Sequence, residues 1–177
     1  MSRIGLTQVD QLPETIQDFM QRRGPLNVFR LLANAPDVFL GWARMVDDML
    51  SSATFSARMR ELITVRVAYL QTSRYELNQH VPLAHSAGLT AHQIDAIIDA
   101  GPRDAARFTA AEEAVLDLIT ELCTTRQVRA ETFAAAHSVL GDQAITELLM
   151  IISCYYGLAL VLNAVDLDID DTIRLHV

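Results

Sequence analysis

Cysteine is scarce in this chain of 177 residues: there are two, Cys123 and Cys154, each inside an apolar segment. That excludes a disulfide framework and fits two buried thiols in a reducing cytoplasm. No CxxC and no Cys/His spacing offers a metal set, and no glycine-rich loop offers a phosphate cradle. An excess of basic residues is also missing. The formal charge of −8 argues against nucleic acid or an anionic membrane as partner, since both require a cationic face. The first residues, MSRIGLTQVDQLPETI, lack an apolar signal core, so export is not expected. Punctuation is sparse too, with 7 glycines and 5 prolines.

What is present is apolar and helical in length. Hydrophobic residues make up 51% and charged ones 20%, which excludes disorder and suits one domain over residues 1–177. The long apolar patterns predict an all-α helical bundle. Pro36 suits the first turn of a helix running to about Met49, and Ser56 suits the cap of the next. Thr90 with Gln93, and Thr109 with Glu112, fit the capping box. Gly88, Gly101 and Gly141 stand where helices are expected to stop. Residues 1–25 read as a looser arm. Leu148–Val165 carries no charge and approaches the roughly 20 residues that span a bilayer. No Lys/Arg bias orients it, so a buried helix is the expectation, without a membrane partner.

The stretch RELITVRVAYLQTSRYELNQH, Arg60 to His80, is the chain's main oddity. It is mostly apolar yet holds Glu61, Arg66, Glu76 and His80, and a core keeps such groups only when they are paired or used. Ile63, Val65, Val67 and Tyr69 alternate with smaller or polar residues as a strand would, but no partner strand lies nearby and a helix is expected. The pattern recurs 53 positions later: Phe55-Ser56-Ala57 answers Phe108-Thr109-Ala110, as in a repeated helical unit. At that offset the apolar positions match, whereas Glu61 faces Ala114, Ser73 faces Arg126, Glu76 faces Arg129 and His80 faces Phe133. Polar groups confined to one copy hint at a site rather than at scaffolding.

Glu76 and His80 are four apart and share a helical face. Such a pair is either a surface ion pair of small value or a carboxylate orienting an imidazole for proton transfer. Glu61 would bring a second carboxylate to the same ring. In a simple antiparallel hairpin turning near Ser73, though, Glu61 and His80 would sit roughly 7 Å apart in level. Either the arms cross or a third group mediates.

The register Glu61, then Ser73-Arg74-Tyr75-Glu76, then His80 resembles the carboxymuconolactone decarboxylase and alkylhydroperoxidase D-like family. In the family's peroxidase branch a glutamate precedes a CxxC by twelve residues and a histidine follows it by four. Here Ser73 and Glu76 stand in the cysteines' places, as in the decarboxylase branch. The likeness runs over roughly residues 20 to 166. It implies an alkylhydroperoxidase D-like bundle assembling as a trimer or hexamer, and a core role for the uncharged helix. It also implies cofactor-independent, metal-free acid/base chemistry on a small carboxylated lactone or similar cyclic acid. His80 would be the general acid/base and Glu61 its orienting group, with Ser73, Tyr75 and Glu76 binding substrate. Arg30, Arg66 and Arg74 are candidate cations for an anionic substrate. Thiol peroxidase activity by family label and a non-catalytic, small-molecule-binding oligomer are the alternatives. Cys123, Cys154, Trp42, Tyr155 and Tyr156 read as core or interface, His85 and His92 as solvated loop or cap residues. Asn27 reads as a cap or pocket donor, and His137 and His176 stand without a function.

Overall fold

The computed structural model describes residues 2–98 and 108–170; the expectations for Gly101 and His176 lie outside them. The described residues form a short 3-10 turn, Val9–Gln11, and eight helices: α1 (Glu14–Arg23), α2 (Asn27–Leu32), α3 (Pro36–Ser51), α4 (Ala57–Leu70), α5 (Arg74–Ser86), α6 (Ala91–Ile98), α7 (Ala110–Thr125) and α8 (Ala130–Val165). No strand occurs among them. The chain divides into two compact units, Met1–Ser52 with Leu162–Val177, and Ala53–Val161.

In the first unit the arm expected at residues 1–25 is instead anchored by a helix. α1 buries Ile16, Phe19 and Met20 with Ala33, Phe39 and Ala43. Phe19 sets its ring edge-on to Phe29 and Phe39, at centroid distances of 5.0 and 5.3 Å. The misreading has a cause: ETIQDFMQRR is mostly polar, and its apolar side is a narrow stripe. Asn27 opens α2, where its backbone N–H donates to the Asp170 carboxylate at 2.8 Å, so the cap comes from a distant carboxylate. Trp42 is partly buried against this same cluster.

The second unit is built on the repeat. Ser56 Oγ accepts from the Met59 amide at 3.2 Å and caps α4. At the matching start of α7, Thr109 Oγ1 accepts from the Glu112 amide at 3.2 Å, while Glu112 accepts from the Thr109 amide at 2.8 Å. Thr90 and Gln93 make the same reciprocal pair ahead of α6. Gly88 and Gly141, 53 apart, both adopt positive φ, +92° and +73°, which a side chain would strain. Gly88 ends its helix as expected, and Gly141, at φ +73° and ψ 176°, breaks the helical backbone within α8, where two helices meet across a kink. α4 and α7 lie side by side and run the same way, since Arg58 reaches Glu112 and Arg66 reaches Thr120, both 54 positions on. Thr109→Ala removes the hydroxyl that accepts from the Glu112 amide, leaving the backbone half of the box, and should cost about 1 kcal/mol in urea unfolding. Thr109→Ser should restore most of it.

α4 resolves the strand-or-helix ambiguity. Leu62 through Ala68 are all buried in succession. A helix enclosed on every side has no amphipathic period, so its β-branched run imitates a strand. α8 departs from expectation in the opposite sense. It is the one helix among the described residues long and apolar enough to cross a membrane, and its most apolar 18-residue window is 33% buried. Leu148, Ile151, Ile152 and Ala159 are core, while Met150 and Leu160 are 49% and 55% exposed. The uncharged helix is therefore core along one stripe rather than throughout.

Candidate functional site

Glu61 projects from the second turn of α4 and His80 from the middle of α5. Glu61 Oε2 meets His80 Nδ1 at 2.9 Å, with side chains only 14% and 16% exposed. The contact is direct, so no third group mediates. Two parallel arms would leave the groups at different levels, so α4 and α5 must cross. A carboxylate at Nδ1 accepts that nitrogen's proton in a hydrogen bond and leaves Nε2 as the exchanging atom. Among the described residues none makes a hydrogen bond to Nε2.

Glu76 lies one turn before His80 on the same face of α5 and is 2% exposed. Both its carboxylate oxygens, and the Ser73 hydroxyl beside it, are buried without a hydrogen bond of ordinary geometry. Burial pushes the Glu76 carboxyl up to about 7, against smaller opposing pulls from Ser73 and the His80 charge. Ser73 itself is 0% exposed. It occupies the N-cap position of α5 but makes no cap bond; its hydroxyl acts on Glu76 instead. The structure thus brings together four of the five residues expected from sequence. Tyr75 is buried on the same helix, about 100° around the axis from Glu76.

A fifth member was not foreseen. Tyr155, on α8, sets its ring perpendicular to His80, with centroids 5.3 Å apart and planes at 89°. Its hydroxyl is within hydrogen-bonding reach of Thr64, itself 1% exposed. Desolvation first, then the Glu61 charge, pushes the phenol well above its ordinary range, so it stays protonated. The sequence carries no local sign of this contact. Tyr155 is 75 positions from His80, inside a segment that reads as core. Replacing Tyr155 by Leu should free the imidazole ring and shift its ring-proton NMR resonances; Phe, which keeps the ring, should preserve them.

The other sequence candidates are engaged elsewhere. Arg66 is not a substrate cation: its guanidinium donates to the Ile97 carbonyl at 2.6 Å and to Thr120 Oγ1 at 3.1 and 3.0 Å. Arg30 donates to the Thr7 carbonyl, and Arg74 is exposed. His137 meets Asp142 at 2.6 Å and stacks on Phe133. His85 lies in the last turn of α5 rather than in a loop, and His92 on α6; both are exposed. Cys123 is buried, which pushes its thiol up to about 11 despite Arg66, and Cys154 is half-buried. A cleft of about 340 Å³ opens between α7 and α8, lined by Ala114, Asp117, Thr120, Glu121, Arg129, Thr132 and Ala135. By the 53-residue offset, Ala114 and Arg129 are the counterparts of Glu61 and Glu76.

Residues 36–121 match the model of the carboxymuconolactone decarboxylase family, a segment that contains Glu61, Ser73, Glu76 and His80. The fold is that of alkylhydroperoxidase D-like proteins. A peroxidase-related protein from Ralstonia eutropha JMP134, described as an alkylhydroperoxidase AhpD core, superimposes with a TM-score of 0.80 at 19% identity, over 96% of this chain and 93% of that one. The debrominase Bmp8, solved in complex with 2,3,4-tribromopyrrole, gives 0.81 at 16% identity over 97% and 95%. A putative antioxidant defence protein AhpD from Agrobacterium tumefaciens gives 0.71 at 15% identity over 80% and 96%. No curated protein matches the chain.

Proposed function

We propose, from the premise that this chain belongs to the carboxymuconolactone decarboxylase family through residues 36–121, that it is a cofactor-independent acid/base lyase. Its substrate would be a small carboxylated lactone or similar cyclic acid. The observation that carries this reading is the direct Glu61–His80 contact beside the buried Glu76. In the proposed step the bond between the ring carbon and the carboxylate breaks heterolytically. The electron pair passes into the conjugated lactone carbonyl and carbon dioxide leaves. Protonated His80 then delivers a proton from Nε2 to the carbon, and solvent returns one to the ring. Glu61 stabilises the imidazolium and fixes its tautomer. Ser73, Tyr75 and Glu76 bind substrate, with Tyr75 contributing from the neighbouring face of α5.

Thiol peroxidase chemistry is not favoured. It needs an accessible low-pKa thiolate, whereas Ser73 and Glu76 occupy the cysteine register and the buried Cys123 thiol titrates near 11. The fold supports a debrominase and peroxidase-related proteins alike, so substrate class rests on the site and not on the scaffold. We further propose that the chain works as a homo-oligomer, a trimer or hexamer, in the cytoplasm. Phe133, Val139, Met150 and Leu160 on α8 are at least 40% exposed, and covering them against other copies would remove an apolar face from water. Carboxylated lactones should lose ultraviolet absorbance on incubation with the protein. Thermal stabilisation without product would support a binding module instead.

A further inference from the structure

Resting on that reading, we propose that Glu76 recognises the substrate's carboxylate as a neutral carboxylic acid, the two carboxyl groups sharing one proton where other sites use an arginine. The geometry leaves Glu76 little alternative. It is 2% exposed, and neither oxygen makes a hydrogen bond of ordinary geometry, the pulls of Ser73 and His80 being smaller than the effect of burial; an ionised carboxylate in such a place is far costlier than a neutral acid.

Among the described residues, the arginines of α4 are spoken for. The chain contains no lysine. Arg58 is tied to Glu112 and the Gly88 carbonyl, Arg60 to the Phe55 carbonyl, and Arg66 to Ile97 and Thr120. Arg74 lies two residues before Glu76, about 200° around the helix. The groups that act on Glu76 are Ser73 and His80 from α5, with Glu61 from α4 and Tyr155 from α8 in the same cluster. α6 turns His92 and Asp95 to solvent.

A carboxylate entering this cluster would meet one carboxyl group already paired to the imidazole and one that can keep its proton. Two carboxyl groups in contact cannot both ionise, and the pair retains one proton to a higher pH than either would alone. No covalent bond changes in binding: the acid O–H donates to the incoming carboxylate oxygen. The sign of the pH effect follows. Glu76 titrates near 7 in the folded protein against an ordinary 4.5, so its contribution to stability is present below about 4.5 and lost as the pH rises through about 7. Binding a carboxylate prolongs the protonated state, so above pH 7 the complex must take up a proton.

The test uses 5-oxotetrahydrofuran-2-carboxylate, a saturated carboxylated lactone that cannot delocalise the decarboxylation charge, and its methyl ester. Titration calorimetry between pH 6 and 8.5, in buffers of different ionisation enthalpy, reads affinity and proton uptake together. Wild type should bind the acid about tenfold more weakly per pH unit above 7, with nearly one proton taken up per ligand at pH 8.5. The methyl ester should show neither effect. Glu76→Gln, whose amide always donates, should bind the acid with flat affinity and no uptake. The wild-type profile tests the proposal even if that variant folds poorly. Flat wild-type affinity, or no binding of the acid at any pH, would overturn it. Uptake that persists in Glu76→Gln would also overturn it, because the proton would then belong to His80. An unsaturated lactone acid that binds with this signature yet releases no carbon dioxide would remove the lyase reading and leave the recognition mode standing.

Discussion

His80→Gln should lower kcat/KM for carbon dioxide release from a carboxylated lactone by about 10³-fold, with the loss in kcat and KM nearly unchanged. Glutamine can keep a hydrogen bond to Glu61, so helix content and oligomeric state should match wild type. It cannot carry a proton, and the atom lost is the one the geometry leaves open, Nε2. Glu61→Gln should fall between the two. It retains a polar contact at Nδ1 but removes the negative charge that stabilises the imidazolium, so kcat should drop. If His80→Gln keeps full activity, the imidazole is a structural polar and the assignment fails.

Arg66→Ala should destabilise the fold by about 3 kcal/mol or more, read as a fall in the urea midpoint at unchanged slope. Arg66 is 2% exposed and ties three helices of one unit together. From α4 it donates to the Ile97 carbonyl of α6 and the Thr120 hydroxyl of α7. Its guanidinium also lies 5.8 Å from the Tyr69 ring. Alanine leaves a cavity the length of an arginine stem, a carbonyl without its donor and a hydroxyl without its partner. Arg66→Met, which refills the stem volume, should recover part of the loss. Recovery to wild type would show that packing, rather than the hydrogen bonds, is what Arg66 supplies.

Arg66 also shows where residue patterns lose their meaning. In the sequence it is one of several polar residues stranded in an apolar run, with the same claim to substrate as Arg30 or Arg74. Only the arrival of α6 and α7, 31 and 54 positions away, separates a tie-beam from a site. Features that repeat are easier to read. The caps at Ser56 and Thr109 and the glycines at 88 and 141 are local chemistry, and they mark the two copies before any contact is known. The asymmetry between copies then isolates Glu61, Ser73, Glu76 and His80, which the fold brings together. Tyr155 escaped because aromatic residues in an uncharged helix are ordinary core, and no spacing rule links it to His80. The exposed side of α8 escaped for a related reason. Apolar composition predicts burial, but not whether another part of the same chain provides it.

The fate of one bond tests the proposed chemistry most directly. Wild-type protein should be incubated in deuterium oxide with an unsaturated carboxylated γ-lactone, with released carbon dioxide quantified and the product examined by NMR. Proton delivery by His80 predicts one carbon dioxide per substrate consumed and one deuterium at the carbon that lost it, both abolished in His80→Gln. Substrate that binds but is recovered unchanged, or hydroperoxide consumed through Cys123 or Cys154 in its place, would contradict it.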